Sequence, residues 1–97
     1  MIELSYGGKF EEQYLINYIR DQLHSDYIIQ GQKACKLEDH NKPMSLDYWL
    51  RRFARDPNLK QADNSVMEAL VATGLFTVSD NLECPTTGRI CKGLVLR

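Results

Sequence analysis

Pro57 splits the strongest pattern of this chain into two helical runs, and that split limits the folds open to it. Upstream, apolar residues fall at 46, 49, 50, 53 and 54, the i, i+3, i+4, i+7, i+8 series of one helix face. Ser45 stands where an N-cap is wanted, and Asp47 lies in the first turn, where a carboxylate meets the positive end of the helix dipole. Tyr48, Arg51, Arg52 and Arg55 occupy the opposite side. Asp56-Pro57 ends the run, because proline disfavours the helical region at the residue before it. Downstream, Asn58 and Gln61 have the spacing of a capping box, and positions 59, 62, 66, 69, 70 and 73 line one side of a helical wheel. Lys60, Gln61, Asn64 and Glu68 point away from that side. Gly74 is placed to end the helix in the left-handed conformation, with Leu75 set for the accompanying apolar contact. The pattern predicts two helices joined by a short turn over about 45–73, a helix-turn-helix.

Beyond Gly74 the period changes from helical to alternating. Phe76 and Val78 alternate with Thr77 and Ser79, and Ile90, Leu94 and Leu96 follow Pro85-Thr86-Thr87-Gly88. This predicts a hairpin over about 75–96. A three-residue loop, Thr86-Thr87-Gly88 with Gly88 left-handed, sets Val78 opposite Leu96 and Cys84 opposite Ile90. One face then holds Phe76, Val78, Leu82, Ile90, Leu94 and Leu96, and Cys84 and Cys91 point to opposite faces. A four-residue loop from Pro85 mixes the faces, and the apolar pattern argues against it.

The first part of the chain holds one more helix. Apolar residues at 10, 14, 15, 18, 19 and 23 make a broad stripe, with Glu11 and Glu12 at the favourable end, so a helix is expected over about 10–23 after the break at Tyr6-Gly7-Gly8. Asp26-Tyr27-Ile28-Ile29, bounded by Gly31, reads as a short strand. The stretch from Lys33 to Asn41 has no clean period, and Lys42-Pro43-Met44 is expected to be extended.

Ninety-seven residues suffice for one domain with its own core. With 43% hydrophobic and 26% charged residues, the composition argues against disorder. No apolar run is long enough to span a bilayer, and the N-terminus lacks the pattern of a signal peptide, so a cytoplasmic protein with no membrane association is expected. Net charge is −1, but unevenly spread. Residues 1–30 carry two basic against five acidic side chains, and residues 31–60 carry seven against four. The basic excess thus falls on the segment that includes the first helix of the helix-turn-helix. The three cysteines, Cys35, Cys84 and Cys91, are expected as reduced thiols. Joined with His40 they make a conceivable zinc set, but the x4 and x6 spacings are not the close pairs of structural zinc sites, so no metal and no cofactor is expected.

The order of helix, short strand, helix, turn, helix and hairpin resembles the winged helix-turn-helix superfamily. The resemblance is carried by SLDYWLRRFARDP for the second helix and by NSVMEALVATGLFTV running from the third helix into the first hairpin strand. It implies an α+β fold with a three-helix core and a C-terminal wing. It also implies a third helix lying in the major groove of double-stranded DNA, with Gln61 and Asn64 meeting base edges. Tyr48, Arg51, Arg52, Arg55 and Lys60 would then face the backbone, with Arg89 and Lys92 acting from the wing. Glu68 on the same face opposes that arrangement.

The sequence holds no nucleophile elbow, zinc-protease motif, phosphate loop or dinucleotide fingerprint, and no catalysis is expected. The first functional expectation is a DNA-binding transcriptional regulator or DNA-targeting module, acting as a homodimer on paired half-sites. The alternative is a winged-helix protein-interaction module, an adaptor or small inhibitor, because folds do not fix functions. The two differ in one property: whether the third helix and wing present an unbroken positive surface.

Overall fold

A computed structural model describes residues 2–3, 9–31, 42–53, 62–85 and 87–97. Strands β1 (Ile2–Glu3) and β2 (Lys9–Phe10) pair antiparallel just ahead of the first helix. Helix α1 (Glu12–Asn17) continues into a π-helical turn, Tyr18–Gln22, so the run expected over about 10–23 is helical from 12 to 22. The wider turn shows in the bond from Leu23 N to Tyr18 O, 3.1 Å, which spans five residues rather than four. Strand β3 (Tyr27–Ile29) forms where the sequence proposed one. Helices α2 (Leu46–Phe53) and α3 (Asn64–Ala72) follow, and then the hairpin of β4 (Phe76–Glu83) and β5 (Ile90–Leu96). Strand β3 adds to the hairpin on the β5 side, giving an antiparallel sheet in the order β3-β5-β4. Among the described residues the chain is therefore a small α+β arrangement of three helices and a three-stranded sheet.

Periodicity explains α2 well. Leu46, Trp49 and Leu50 are buried, and Ser45 Oγ accepts from Tyr48 N at 3.4 Å as an N-cap does. Phe53 is half exposed, but its ring packs on Tyr18 with centroids 5.4 Å apart. The third helix starts later than its apolar pattern suggested. Asp63 is the N-cap, with its carboxylate accepting from Val66 N at 3.0 Å, and Ala62 precedes the helix. Lys60 and Gln61 are therefore upstream of α3 rather than on it. They lie outside the described residues, as do Arg55 and the proposed capping box at Asn58.

The hairpin departs most from expectation. Its loop is the four-residue one, Pro85–Gly88: Cys84 N donates to Arg89 O (2.8 Å), and Gly88 N donates to Cys84 O (2.7 Å). Gly88 is left-handed, as expected. Phe76 faces Leu96 and Val78 faces Leu94, but past Ser79 the register shifts, and Leu82 faces Cys91. One extra residue in β4, at Asp80-Asn81, makes this bulge. Because side chains alternate with period two, one added residue sends everything beyond it to the other face. Leu82 and Cys84 thus leave the face of Phe76 and Val78.

That inversion is tolerated because each face of the sheet carries a buried apolar cluster. On one face Ile28, Phe76 and Leu94 join Leu15, Ile19, Leu46, Trp49, Leu50, Val66 and Leu70 in the main core. On the other, Cys84 and Cys91 pack with Ile29 and Met44, flanked by Leu82, Tyr27 and Leu23. The two hairpin cysteines hence share a buried cluster instead of lying on opposite faces. Cys84 is a free thiol, whereas Cys91 is disulfide-bonded, so the thiols are not uniformly reduced. An odd number of cysteines leaves one thiol over without forbidding a bond.

Tyr18 links the first helix to the turn before α2, its hydroxyl donating to Pro43 O at 2.6 Å. Burial, aided by the neighbouring Tyr48, pushes the Tyr18 phenol from 10.0 up to about 12. A raised phenol pKa means that the folded state holds the proton more tightly than the unfolded chain. Its contribution is complete below pH 10 and is lost as pH rises through about 12. Denaturation of the Tyr18→Phe variant, followed by the single buried tryptophan, Trp49, should show a flatter decline across that window than the parent. Equal slopes would refute the assignment.

Candidate interaction groove between the third helix and the hairpin

The start of α3 is fixed by side chains from two other elements. Asp47, on the first turn of α2 and only 1% exposed, accepts from Ala62 N through Oδ1. Gln30, also 1% exposed, donates from Nε2 to Ala62 O at 2.7 Å. Both backbone groups of Ala62 are thereby satisfied by side chains, which explains why this residue is not helical despite its place in the apolar stripe. Gly31, with φ of 113°, makes the approach feasible: a Cβ there would sit 2.6 Å from the Asp47 carboxylate and 2.7 Å from Ser45 Oγ. Asp47 lies in the first turn of the helix, as the sequence placed it. It serves there also as a buried anchor for Ala62.

With α3 held in this way, an open groove forms between its outer side and the hairpin. Asn64, Glu68, Val71 and Ala72 line it from the helix, Met67 lies beneath, and Val78 and Lys92 close it from the sheet. Two residues expected at a nucleic-acid interface, Asn64 and Lys92, are thus brought together. Glu68 lies in the groove with them.

The other candidates are elsewhere. Arg51 and Arg52 are exposed on α2, and Tyr48 is half-buried there. The Arg52 guanidinium carbon sits 5.4 Å from the centre of the Tyr48 ring, a cation–π pair that positions it. Arg89 is half-buried where the hairpin loop rejoins β5, its N–H 3.4 Å from Thr87 Oγ1. Arg55, Lys60 and Gln61 lie outside the described residues.

Sequence reasoning did not foresee the apolar floor. Met67 and Val71 fall beside the stripe traced through 66, 69 and 70, and a wider stripe on α3 was the available signal. Val78 was placed on the core face, which is correct, but it remains 44% exposed because the helix covers only part of that face. Ile90, further along the same face of β5, is 62% exposed. Among the described residues no group of three or more His, Cys, Asp or Glu side chains is disposed to hold a metal ion. Cys35 and His40 lie outside them. No described helix is long and apolar enough to cross a membrane.

Comparisons with protein-family models, with curated proteins and with solved structures find no match to this chain.

Proposed function

We propose that this protein is a winged-helix interaction module that captures a segment of another protein in the groove between α3 and the hairpin. The observation that carries this reading is the outer side of α3. Its exposed residues are Asn64, Ser65, Glu68 and Ala72, and from Asn64 to Ala72 the helix has no lysine or arginine. Duplex DNA carries one negative charge per roughly 1.7 Å of axis, so a helix that reads it is expected to bring cations and donors rather than a carboxylate. A floor of Met67, Val71 and Val78, with exposed Ile90 nearby, fits an apolar anchor from a protein partner. The order of strand β3, helices α2 and α3 and the hairpin supports reading the chain as a winged helix, a fold whose sites rather than its architecture fix its use.

A second reading keeps duplex DNA as the partner, with the protein as a transcriptional regulator. Exposed Arg51 and Arg52 on α2, and Asn64 opposite Lys92, favour it. One pair of experiments separates the two. A photo-crosslinking amino acid at Ala72 should give a discrete protein adduct in the cells of origin, and the same group at Gln13 on α1 should not. In parallel, a labelled duplex titrated at low and high salt should show no binding that depends on Arg51 and Arg52. Salt-sensitive duplex binding that the Arg51→Ala, Arg52→Ala variant loses, with no adduct from Ala72, would transfer the function to DNA.

A further inference from the structure

Two properties of the groove restrict what can lie in it. The first concerns backbone hydrogen bonds. One wall is the side of α3, where N–H and C=O groups bond along the helix axis. The other is a face of the β4–β5 hairpin, where they lie in the plane of the sheet. Neither wall offers backbone partners to a chain lying on it. A segment covering the floor of Met67, Val71 and Val78 loses water there and must satisfy its own N–H and C=O groups. A helix does that, and an extended segment does not.

The second property is charge. From Ala62 to Pro85, the stretch that supplies α3 and β4, the chain has the carboxylates Asp63, Glu68, Asp80 and Glu83 and no lysine or arginine. Asp63 caps α3, and the other three are exposed. Glu68 lines the groove from the helix, and Lys92, half-buried, lines it from β5. Among the described residues neither is held in an ion pair, so both are open to an occupant.

We propose that the groove takes an amphipathic helix of the partner protein, apolar toward the floor and basic along the flank turned to α3. Lysine or arginine on that flank meets Glu68, and the flank over β5 carries no cation opposite Lys92. The strand register gives the spacing of the apolar anchors. Val78 pairs with Leu94 and Glu83 with Ile90, and paired residues share a face, so Val78 and Ile90 lie on one surface. Leu94 to Ile90 spans about 13 Å of β5, and eight helical residues rise about 12 Å. Apolar side chains at i and i+7 or i+8 of one helix therefore reach both Val78 and Ile90, and Glu83 beside Ile90 extends the acidic rim. This assignment rests on the groove being the binding site; it adds the conformation and the charge of what is bound.

A displayed library of random peptides of about 14 residues, long enough for the span above, is selected on the full chain. Enriched sequences should place apolar residues at i, i+3 or i+4, and i+7 or i+8, with lysine or arginine beside them. Their synthetic forms should gain helical circular dichroism on binding. Ala72→Trp, a bulky side chain at an exposed position of the groove, should abolish binding. Glu68→Lys should weaken it by roughly tenfold or more, because like charges then meet. Selection on Glu68→Lys should enrich acidic flanks instead, a reversal that a misfolded variant cannot produce. Binders that are acidic or stay non-helical, yet are lost in Ala72→Trp, would overturn this inference and leave the groove as the binding site. No enrichment, or binders indifferent to Ala72→Trp, would overturn both.

Discussion

Gly93→Ala should destabilise this protein by about 3 kcal/mol or more, because the added methyl has nowhere to go. Gly93 is the residue of β5 that faces Ile29 on one side and Ser79 on the other. A Cβ there would lie 2.3 Å from Ile28 O, 2.7 Å from Ile29 Cα and 2.9 Å from Leu82 Cδ1. Two of these are backbone atoms of the neighbouring strand, so no rotamer change relieves the clash. The strand must move, and moving β3 disturbs Ile28 and Ile29, one in each apolar cluster. Set against the roughly 5–15 kcal/mol that holds a typical domain together, this is a large fraction. Urea denaturation followed by Trp49 fluorescence is the measurement. Ser79→Ala, at the position facing Gly93 on β4, serves as the control and should change stability little. A Gly93→Ala protein as stable as the parent would mean that β3 and β5 are further apart than described.

Asp47→Ala should cost about 2–3 kcal/mol, and the loss should be felt first at the start of α3. Without the carboxylate, Ala62 N–H is left buried with no acceptor, which costs more than the hydrogen bond itself contributed. Asp47→Asn keeps an oxygen to accept that bond and should lose less. Gln30→Met keeps the shape but orphans Ala62 O, at a cost of about 1–2 kcal/mol. Amide hydrogen exchange distinguishes this anchoring role from a general loss of stability. In Asp47→Ala, protection at Val66 and Met67 should fall further than protection at Leu15 and Ile19 in α1. Uniform loss along the chain would refute the anchor. The groove depends on α3 being held, so crosslinking from Ala72 should weaken in the same variant.

What could be read from the residues follows from how local each signal is. The α2 run was legible because its 3.6-residue stripe and its cap at Ser45 are contained in nine residues. Strand β3 was legible from Tyr27-Ile28-Ile29 beside Gly31, and the left-handed turns at Gly74 and Gly88 from the residue type alone. The groove was legible in part: Asn64 and Lys92 were named, but their shared setting with Glu68, Val71 and Val78 depends on how α3 crosses the hairpin. The onset of α3 was not legible. Its capping residue, Asp63, competed with an equally plausible box at Asn58. The choice between them is tied to Gln30 and Asp47, both distant in sequence from Ala62.

The hairpin shows the same division. By itself the sequence determined that β4 and β5 form, that their turn ends on a left-handed glycine, and that Phe76, Val78, Leu94 and Leu96 share a face, because alternation and turn chemistry act between near neighbours. Tertiary structure decided the rest. A four-residue loop and a bulge send Leu82 and Cys84 to the second face, where Cys91 lies by alternation along β5, and that register is favourable because Ile29 and Met44 are there to receive them. A pattern read along one hairpin assumes one wet face. Only the packed chain reveals that each face carries a buried cluster.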